Sequence, residues 1–248
     1  MLRILNAVFF AATIIVNGMA DILPIAGVKT AEVSQRYQHL LSPANFAFVI
    51  WGLIYALMAV FVWYLFKHKE TANKCGPWFI ISCVANMAWI VLWHYQLLWL
   101  TLACMAVVTG AVLMMQERLK DERETIAQKL IVQGSVGLYF GWALVALAAN
   151  AAACLMKSGV SPFTAGAQVA AGGALLGIAL LTMYFLLRYG NAFFGAAVVW
   201  GLTGVLVEQF IHYRARYPLA LAACAMMILF LLVRMWQQFE PMEALQKS

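Results

Sequence analysis

Long apolar stretches separated by short polar ones run through almost the whole chain. Each stretch has about 20 residues, and because a helix rises about 1.5 Å per residue, that length crosses the ~30 Å hydrocarbon core of a bilayer. Strands of a membrane barrel would instead show short segments in which apolar and polar residues alternate. The pattern therefore predicts an all-α fold, a polytopic transmembrane helix bundle of about eight spans near residues 4–26, 45–66, 77–95, 97–115, 128–155, 163–187, 191–210 and 216–236.

The connections between these spans predict a single bundle. The two longest run over residues 27–44 and 116–125, and neither is long or polar enough to hold a separate soluble domain. Composition agrees with this interpretation, since 65% of the residues are hydrophobic, only 10% are charged and the mean hydropathy is +0.86. Water-soluble globular domains do not reach such values. We therefore expect an integral membrane protein.

Basic residues predict the orientation, because Lys and Arg resist translocation across the membrane. With the N terminus inside, most of the 16 basic residues fall on the cytoplasmic side: Arg3, Lys67, Lys69, Lys74, Arg118, Lys120, Arg123, Lys129, Arg188, Arg234 and Lys247. We expect both termini in the cytoplasm, and the compact loops favour a bacterial plasma membrane. Loops that face anionic lipid are basic by default, so the net charge of +6 points to membrane lipid and not to a nucleic acid partner.

Three spans carry aromatic and polar side chains at helical spacing toward the middle of the membrane. An indole N–H or an amide at that depth needs a partner that hydrocarbon does not offer, so these side chains face protein or a cavity. The amides could serve only to hydrogen-bond neighbouring helices. The whole set favours a ligand-facing cavity. The predicted ligand-binding residues are Trp51, Tyr55 and Met58 in the second span, Asn86 and Trp89 in the third, and Tyr139, Trp142 and Asn150 in the fifth.

Patterns typical of catalytic or metal sites do not occur in the sequence. The five cysteines are scattered without a C-x-x-C pair, and the four histidines fall on different segments without ligand spacing. Clustered carboxylates, a nucleophile elbow and a phosphate-binding loop are also missing. We therefore predict a protein that is not an enzyme, with no catalytic residue, no metal and no resident cofactor.

The motifs of the three aromatic spans resemble those of the tryptophan-rich sensory protein family, the TspO and peripheral-type benzodiazepine receptor (TspO/MBR) group. The second span follows Ser42-Pro43 and reads W-x-x-x-Y-x-x-M, and the third carries N-x-x-W. The fifth reads Y-x-x-W, with alanine four and asparagine eight residues after the tryptophan. The combination in this order is more specific than any single motif, and the resemblance covers residues 1–155.

The resemblance implies a five-helix core whose cavity, under the first loop, binds planar hydrophobic ligands such as porphyrins and other tetrapyrroles, or sterols. It also leaves porphyrin breakdown open as an activity. The sequence departs from the family at several points. Trp93 and His94 stand in the region of the family's paired phenylalanines, Leu138 replaces a proline, and the first loop lacks the family's tryptophan, its nearest aromatic residue being Tyr37.

Residues 156–248 have no counterpart in the five-helix pattern and predict three additional spans of the same bundle. Gly173 and Gly177 form a G-x-x-x-G, and Ala170 and Ala174 repeat its spacing. Small residues at this spacing let helix backbones approach closely. We expect a tight helix contact there, either inside one chain or at the face of a homodimer.

A carboxylate in the seventh span leaves a second function open. Glu208 is expected to pair with Arg214 or Arg216 at the outer end of the span, but an intramembrane carboxylate also suggests an ion pathway. The alternative is a secondary transporter of a small hydrophobic or ionic solute. Transporters usually carry Gly or Pro breaks in mid-span, whereas the six prolines here lie at or near span ends. We therefore prefer a ligand-binding sensory protein or receptor over a transport protein.

Overall fold

The computed structural model describes residues 1–23, 25–123, 125–161, 164–211, 218, 221–222, 224–233 and 236. These residues form helices and connecting turns, and they contain no strand. A 3₁₀ turn (Asn45–Val49) and a π-helical turn (Gln128–Gln133) lead into two of the helices. The described helices are α1 (Leu2–Ile22), α2 (Thr30–Arg36), α3 (Ile50–Lys67), α4 (Lys69–Cys75), α5 (Trp78–His94), α6 (Leu98–Leu119), α7 (Gly134–Lys157), α8 (Ala165–Tyr189), α9 (Ala192–Ile211) and α10 (Cys224–Val233).

Six of these helices are long and apolar enough to cross a membrane, namely α1, α3, α6, α7, α8 and α9, with α3 and α7 extended by their leading turns. The pair α4 and α5 also passes this test together, across a bend of 56°. Gly76 lies at the bend and has a φ of 61°, a left-handed conformation that glycine adopts easily. The predicted all-α bundle is confirmed. The eighth predicted span, 216–236, lies partly outside the described residues.

The hydropathy pattern did not predict two short helices that the structure contains. Helix α2 lies in the first loop (residues 25–49), and α4 lies at the other end of the bundle. Each has seven residues, too few for a clear helical period. In α4, Thr71 and Cys75 are buried while Lys74 is exposed and pairs with Glu122 at 2.6 Å. Helix α4 therefore lies along the end of the bundle.

Helix α7 occupies the centre of the bundle. Every residue from 134 to 145 is buried, although the segment contains three glycines and one serine. Helices α3 and α6 pack against one part of its surface and α9 against another, while α5 packs between α1 and α6. A helix that is surrounded by others in this way needs no polar face. Helix α7 corresponds to the fifth predicted span. It therefore contacts helices of the first five spans, α3 and α6, as well as α9, which belongs to the additional spans.

Glycines bring α7 and α9 into close contact. A Cβ atom on Gly141 would lie 2.3 Å from the carbonyl oxygen of Phe194, and one on Gly201 would lie 2.8 Å from Val145. By contrast, a Cβ atom on Gly173 or Gly177 would have no neighbour within 4 Å. The predicted tight contact inside the chain at those two glycines is therefore wrong for the described residues. The homodimer face remains a prediction.

Helix α9 also holds the first loop in place. The indole Nε1 of Trp200 donates to the carbonyl oxygen of Ala47 at 2.9 Å. The backbone N–H of Ala44 donates to the carbonyl oxygen of Gly204 at 3.0 Å, and Gln209 Nε2 donates to the carbonyl oxygen of Leu40 at 2.8 Å. These bonds satisfy backbone groups in a segment with little regular structure.

Candidate ligand-binding site

Trp51 lies at the centre of an aromatic cluster to which three helices contribute. Its ring centroid is 5.5 Å from Tyr55, 6.0 Å from Trp89, 6.1 Å from Tyr139 and 6.2 Å from Trp142. It stacks on Tyr55 at an interplanar angle of 23° and meets Trp142 edge to face at 88°. Both arrangements are favourable for aromatic pairs. The stripes predicted on α3, α5 and α7 therefore do meet inside the bundle.

The two predicted amides form hydrogen bonds between helices. Asn150 Oδ1 accepts from Trp89 Nε1 at 3.1 Å. Asn86 Oδ1 accepts from Asn17 Nδ2 at 2.8 Å and from the Tyr55 hydroxyl at 3.4 Å. These contacts tie α5 to α7, α1 and α3. Both amides therefore do hydrogen-bond neighbouring helices, which was one of the two explanations offered for them. Asn150 also borders a cavity.

Two small chambers lie on either side of Trp51. The α1 chamber, on the side of α1, has a volume of about 130 Å³, and the α7 chamber, on the side of α7, has about 30 Å³. Phe48, Trp51 and Trp89 line both, so they form the partition between them. The α1 chamber is completed by Asn17, Thr30, Tyr55 and Ile90, and the α7 chamber by residues of α7 and of the first loop.

Most of the predicted ligand-binding residues border these chambers. Trp51, Tyr55, Trp89, Trp142 and Asn150 line at least one chamber. The remaining three predicted residues, Met58, Asn86 and Tyr139, line neither. Asn86 and Tyr139 contact residues that do, as the distances above show. Met58 is fully buried one turn beyond Tyr55 and acts as a core side chain of α3.

The first loop supplies chamber residues that the sequence interpretation missed. Ser34, Tyr37, His39 and Pro43 all line the α7 chamber. The Tyr37 hydroxyl donates to Gln96 Oε1 at 3.0 Å, which ties the loop to the turn between α5 and α6. The first loop is rich in polar residues, so residue type alone did not distinguish these positions. Their inward direction depends on the loop conformation, which no helical period encodes.

His39 is buried in the wall of the α7 chamber. Its Nδ1 accepts a hydrogen bond from the Leu41 backbone N–H at 3.2 Å. Burial lowers the pKa of His39 to about 4, although a hydrogen bond to the backbone of Ala149 acts in the opposite direction. The imidazole is therefore neutral at physiological pH. With Nδ1 acting as the acceptor, Nε2 carries the proton and donates to Ala149.

Two buried indole N–H groups, those of Trp78 and Trp142, lack a hydrogen-bond partner within the described part of the chain, and Trp142 is the one that lies at the ring cluster. Trp142 is 2% exposed, lines the α7 chamber, and its Nε1 makes no hydrogen bond. Two indoles of the same site do have partners, since Trp89 donates to Asn150 and Trp93 Nε1 donates to the carbonyl oxygen of Thr30 at 3.0 Å. An unsatisfied buried donor costs about 1–3 kcal/mol. The site therefore gains free energy from any ligand that brings an acceptor to Trp142.

The acidic residue of α9 lies apart from the ring cluster. Glu208 is buried, and Gln38 Nε2 lies 3.5 Å from its Oε1. The predicted partners Arg214 and Arg216 lie outside the described residues. Within the residues that the structure describes, no group of three or more His, Cys, Asp or Glu side chains could hold a metal ion. The site offers aromatic faces and single hydrogen-bonding groups.

Comparison with known proteins gave one match. The model of a family described as TSPO-like protein matches residues 3–236 of the chain. This range extends beyond residue 155, where the recognised motifs end, and includes the additional helices. No curated protein and no solved structure matched.

Proposed function

Because the chain belongs to the TSPO-like protein family, we propose that this multi-pass membrane protein binds a planar hydrophobic ligand between the rings of α3, α5 and α7. The family match confirms the resemblance inferred from the aromatic motifs. The observation that carries the proposal is the meeting of four aromatic rings around Trp51, with open space on both sides of that indole. Stacked and edge-on indoles are suited to a flat apolar ring system.

The unsatisfied N–H of Trp142 adds a polar requirement to the ligand. An acceptor such as a carbonyl or carboxylate oxygen would give Trp142 Nε1 the hydrogen bond that no described residue supplies. A tetrapyrrole of the porphyrin class combines a flat aromatic face with carboxylate oxygens. A sterol-like molecule is flat but offers no aromatic face. The ring cluster therefore favours the tetrapyrrole over the sterol.

The volume of the chambers requires a movement before a tetrapyrrole can enter. Ligand sites usually enclose about 300–1,000 Å³, whereas the two chambers measure about 130 and 30 Å³. The first loop contributes residues to both chambers, and its side-chain bonds include Tyr37 to Gln96 and Trp93 to the Thr30 carbonyl, in addition to the bonds from α9 described above. We expect the loop to move outward and Trp51 to rotate when a large planar ligand binds.

A porphyrin titration tests the proposal. Purified protein is titrated with protoporphyrin, and binding is followed by the absorbance change of the porphyrin, which does not depend on the number of tryptophans. We expect saturable binding that Trp142→Phe weakens about tenfold, equivalent to about 1.4 kcal/mol for the lost hydrogen bond. Trp51→Phe should weaken it as well, through reduced ring contact.

Trp99→Phe is the matched control, because Trp99 is more than half exposed on α6 and lines neither chamber. The affinity of the Trp99→Phe variant for protoporphyrin should equal that of the unmodified protein. Binding that does not saturate, or that falls equally in Trp99→Phe and Trp142→Phe, would refute the proposed site.

The described residues give less support to secondary transport. A transporter of this kind has discontinuous helices near the middle of the membrane. The bend of 56° described above lies between α4 and α5, beside the exposed Lys74, and so at the end of the bundle. Uptake into proteoliposomes driven by a proton gradient, and lost in Glu208→Gln, would favour the transporter.

We further propose that both termini lie in the cytoplasm, in the plasma membrane of a bacterium. Arg3, Lys67 and Arg118 meet at one end of the bundle, where Arg3 Nη1 donates to the carbonyl oxygen of Phe66 at 2.6 Å. The first loop and Lys157 lie at the opposite end. The positive-inside rule assigns the more basic end to the cytoplasm. Labelling of single cysteines with a membrane-impermeant reagent in intact cells tests this orientation: a cysteine at position 35 should react and one at position 69 should not.

A further inference from the structure

A third cavity lies between α7 and α8, outside the aromatic cluster. Its volume is about 220 Å³, larger than either chamber at Trp51. Helix α8 belongs to the part of the chain beyond the recognised motifs, so this cavity depends on the additional helices. We call it the α7–α8 cleft. Its walls are formed mainly by alanines, among them Ala148, Ala151 and Ala152 on α7 and Ala167, Ala170 and Ala174 on α8.

The alanines explain why open space remains between the two helices. On each helix they follow the spacing i, i+3, i+4 or i, i+3, i+7, so each helix turns one face of truncated side chains to the other. Faces of this kind usually let backbones meet, but here they enclose a gap. Apolar walls that do not touch each other gain dispersion contacts from a molecule that lies between them. The cleft is therefore suited to an occupant that fits between the two helices.

The chemistry of the walls restricts that occupant. His39 is the only polar side chain among the described residues that line the cleft, and both of its ring nitrogens already have partners in the first loop and in α7. Apolar cavities of about 150 Å³ stay dry and take up apolar molecules. Among the residues that the structure describes, no indole, phenol or phenyl ring lines the cleft, so these walls lack the stacking surfaces of the aromatic site. An aliphatic molecule fits these walls better than water or a planar ring.

The position of the cleft indicates where the aliphatic molecule comes from. Leu155 and Val160 line it and remain about half exposed, and Ala170 is exposed as well. On a membrane bundle such exposed apolar surface faces hydrocarbon, so the cleft is continuous with the lipid-facing surface. Its lining on α7 runs from residue 148 to 156, which corresponds to about 12 Å along the helix. That length is close to the ~15 Å depth of hydrocarbon in one leaflet.

We propose that the α7–α8 cleft binds one acyl chain of a bilayer phospholipid, with the chain lying along both helices. Insertion fills the gap with alkane-like contacts and exposes no polar group of the protein. His39 lines both the cleft and the α7 chamber. A bound acyl chain therefore lies against the outer side of the wall that encloses the ring cluster. The lipid site is separate from the proposed planar-ligand site and does not depend on it.

A retained photoreactive lipid tests this proposal. The protein is reconstituted in nanodiscs that contain phosphatidylcholine with a diazirine near the end of one acyl chain. It is then transferred to detergent, freed of loosely held lipid by gel filtration, irradiated, digested and analysed by mass spectrometry. We expect the label on peptides that cover residues 148–156 and 167–174, because only lipid held in the cleft survives the transfer.

Filling the cleft should remove the label. Ala174→Phe places a phenyl ring in the cleft, and Ala106→Phe, on the exposed surface of α6, is the matched control. The expected result is loss of retained label in Ala174→Phe and no change in Ala106→Phe or Trp142→Phe. Should Ala174→Phe fail to fold, Ala174→Val provides a smaller filling, with partial loss expected. The proposal is overturned if the wild-type protein retains no label, if the label is spread equally over α6, or if a folded Ala174→Phe retains it.

Discussion

The contact between α7 and α9 makes a direct prediction for Gly141→Ala. A Cβ atom at this position would lie 2.3 Å from the carbonyl oxygen of Phe194, whereas ordinary van der Waals contact begins at 3.4 Å. The difference, 3.4 − 2.3 = 1.1 Å, must be absorbed by moving one helix backbone relative to the other. No side chain can rotate away, because the obstructing atom belongs to the backbone of α9.

The expected change in the free energy of unfolding of Gly141→Ala follows from two opposing effects. Overpacking of a well-packed interior costs typically 1–3 kcal/mol, and a backbone obstacle belongs at the upper end, about 3 kcal/mol. Replacing glycine with alanine inside a helix stabilises the folded state by about 1 kcal/mol, because alanine has the higher helix propensity. The net loss is therefore about 2 kcal/mol. For a chain of this size a loss of 1 kcal/mol lowers the unfolding temperature by about 2–4 °C, so we expect a decrease of about 4–8 °C.

Thermal unfolding in detergent provides the assay, and Gly110→Ala is the control. A Cβ atom on Gly110, which is exposed on α6, would have no neighbour within 4 Å. The control should leave the unfolding temperature unchanged or raise it slightly. If Gly141→Ala is as stable as Gly110→Ala, then α7 and α9 do not approach each other as described, and the argument for α9 as part of the packed bundle fails.

Two further predictions concern the walls of the candidate site, and a third concerns the attachment of the first loop to α9. Asn150→Leu leaves the buried Trp89 N–H without its acceptor and should lower the free energy of unfolding by about 1–2 kcal/mol, a loss that Trp89→Phe in the same chain should partly restore. His39 has its pKa lowered by burial from 6.5 to about 4, so the unfolded chain takes up the proton first. Stability should therefore fall by up to about 3 kcal/mol as the pH drops from 6.5 to 4, and His39→Gln should flatten that slope in pH-dependent unfolding. Gln209→Leu removes the hydrogen bond to the Leu40 carbonyl and should speed amide hydrogen exchange in residues 40–47 without changing exchange in α6. Equal exchange of residues 40–47 in the variant and in the unmodified protein would contradict this.

The helices and the ring cluster could be predicted because both depend on a local period. Apolar runs of membrane-crossing length located the spans, and a spacing of three or four residues put Trp51 and Tyr55 on one face of α3. The meeting of that face with Trp89 and Trp142 was inferred from the cost of an indole N–H in hydrocarbon. The family resemblance supported the same arrangement.

The distances between helices could not be predicted in the same way. The G-x-x-x-G at Gly173 and Gly177 indicated a close contact, yet Gly141 and Gly201 form one and the former pair does not. Small residues permit an approach but do not select the partner helix. The contribution of His39 was also missed, because a loop residue turns inward only through tertiary contacts such as the one with Ala149.

The attachment of the first loop to α9 links the position of the loop to the C-terminal third of the chain. The bonds of Trp200, Gly204 and Gln209 reach backbone atoms of the loop and touch none of the rings that border the chambers. A substitution or a neighbouring molecule that tilts α9 would therefore displace the loop together with Pro43 and Phe48, which line the α7 chamber. The C-terminal third of the chain is thus mechanically coupled to the walls of a site built by the first two thirds.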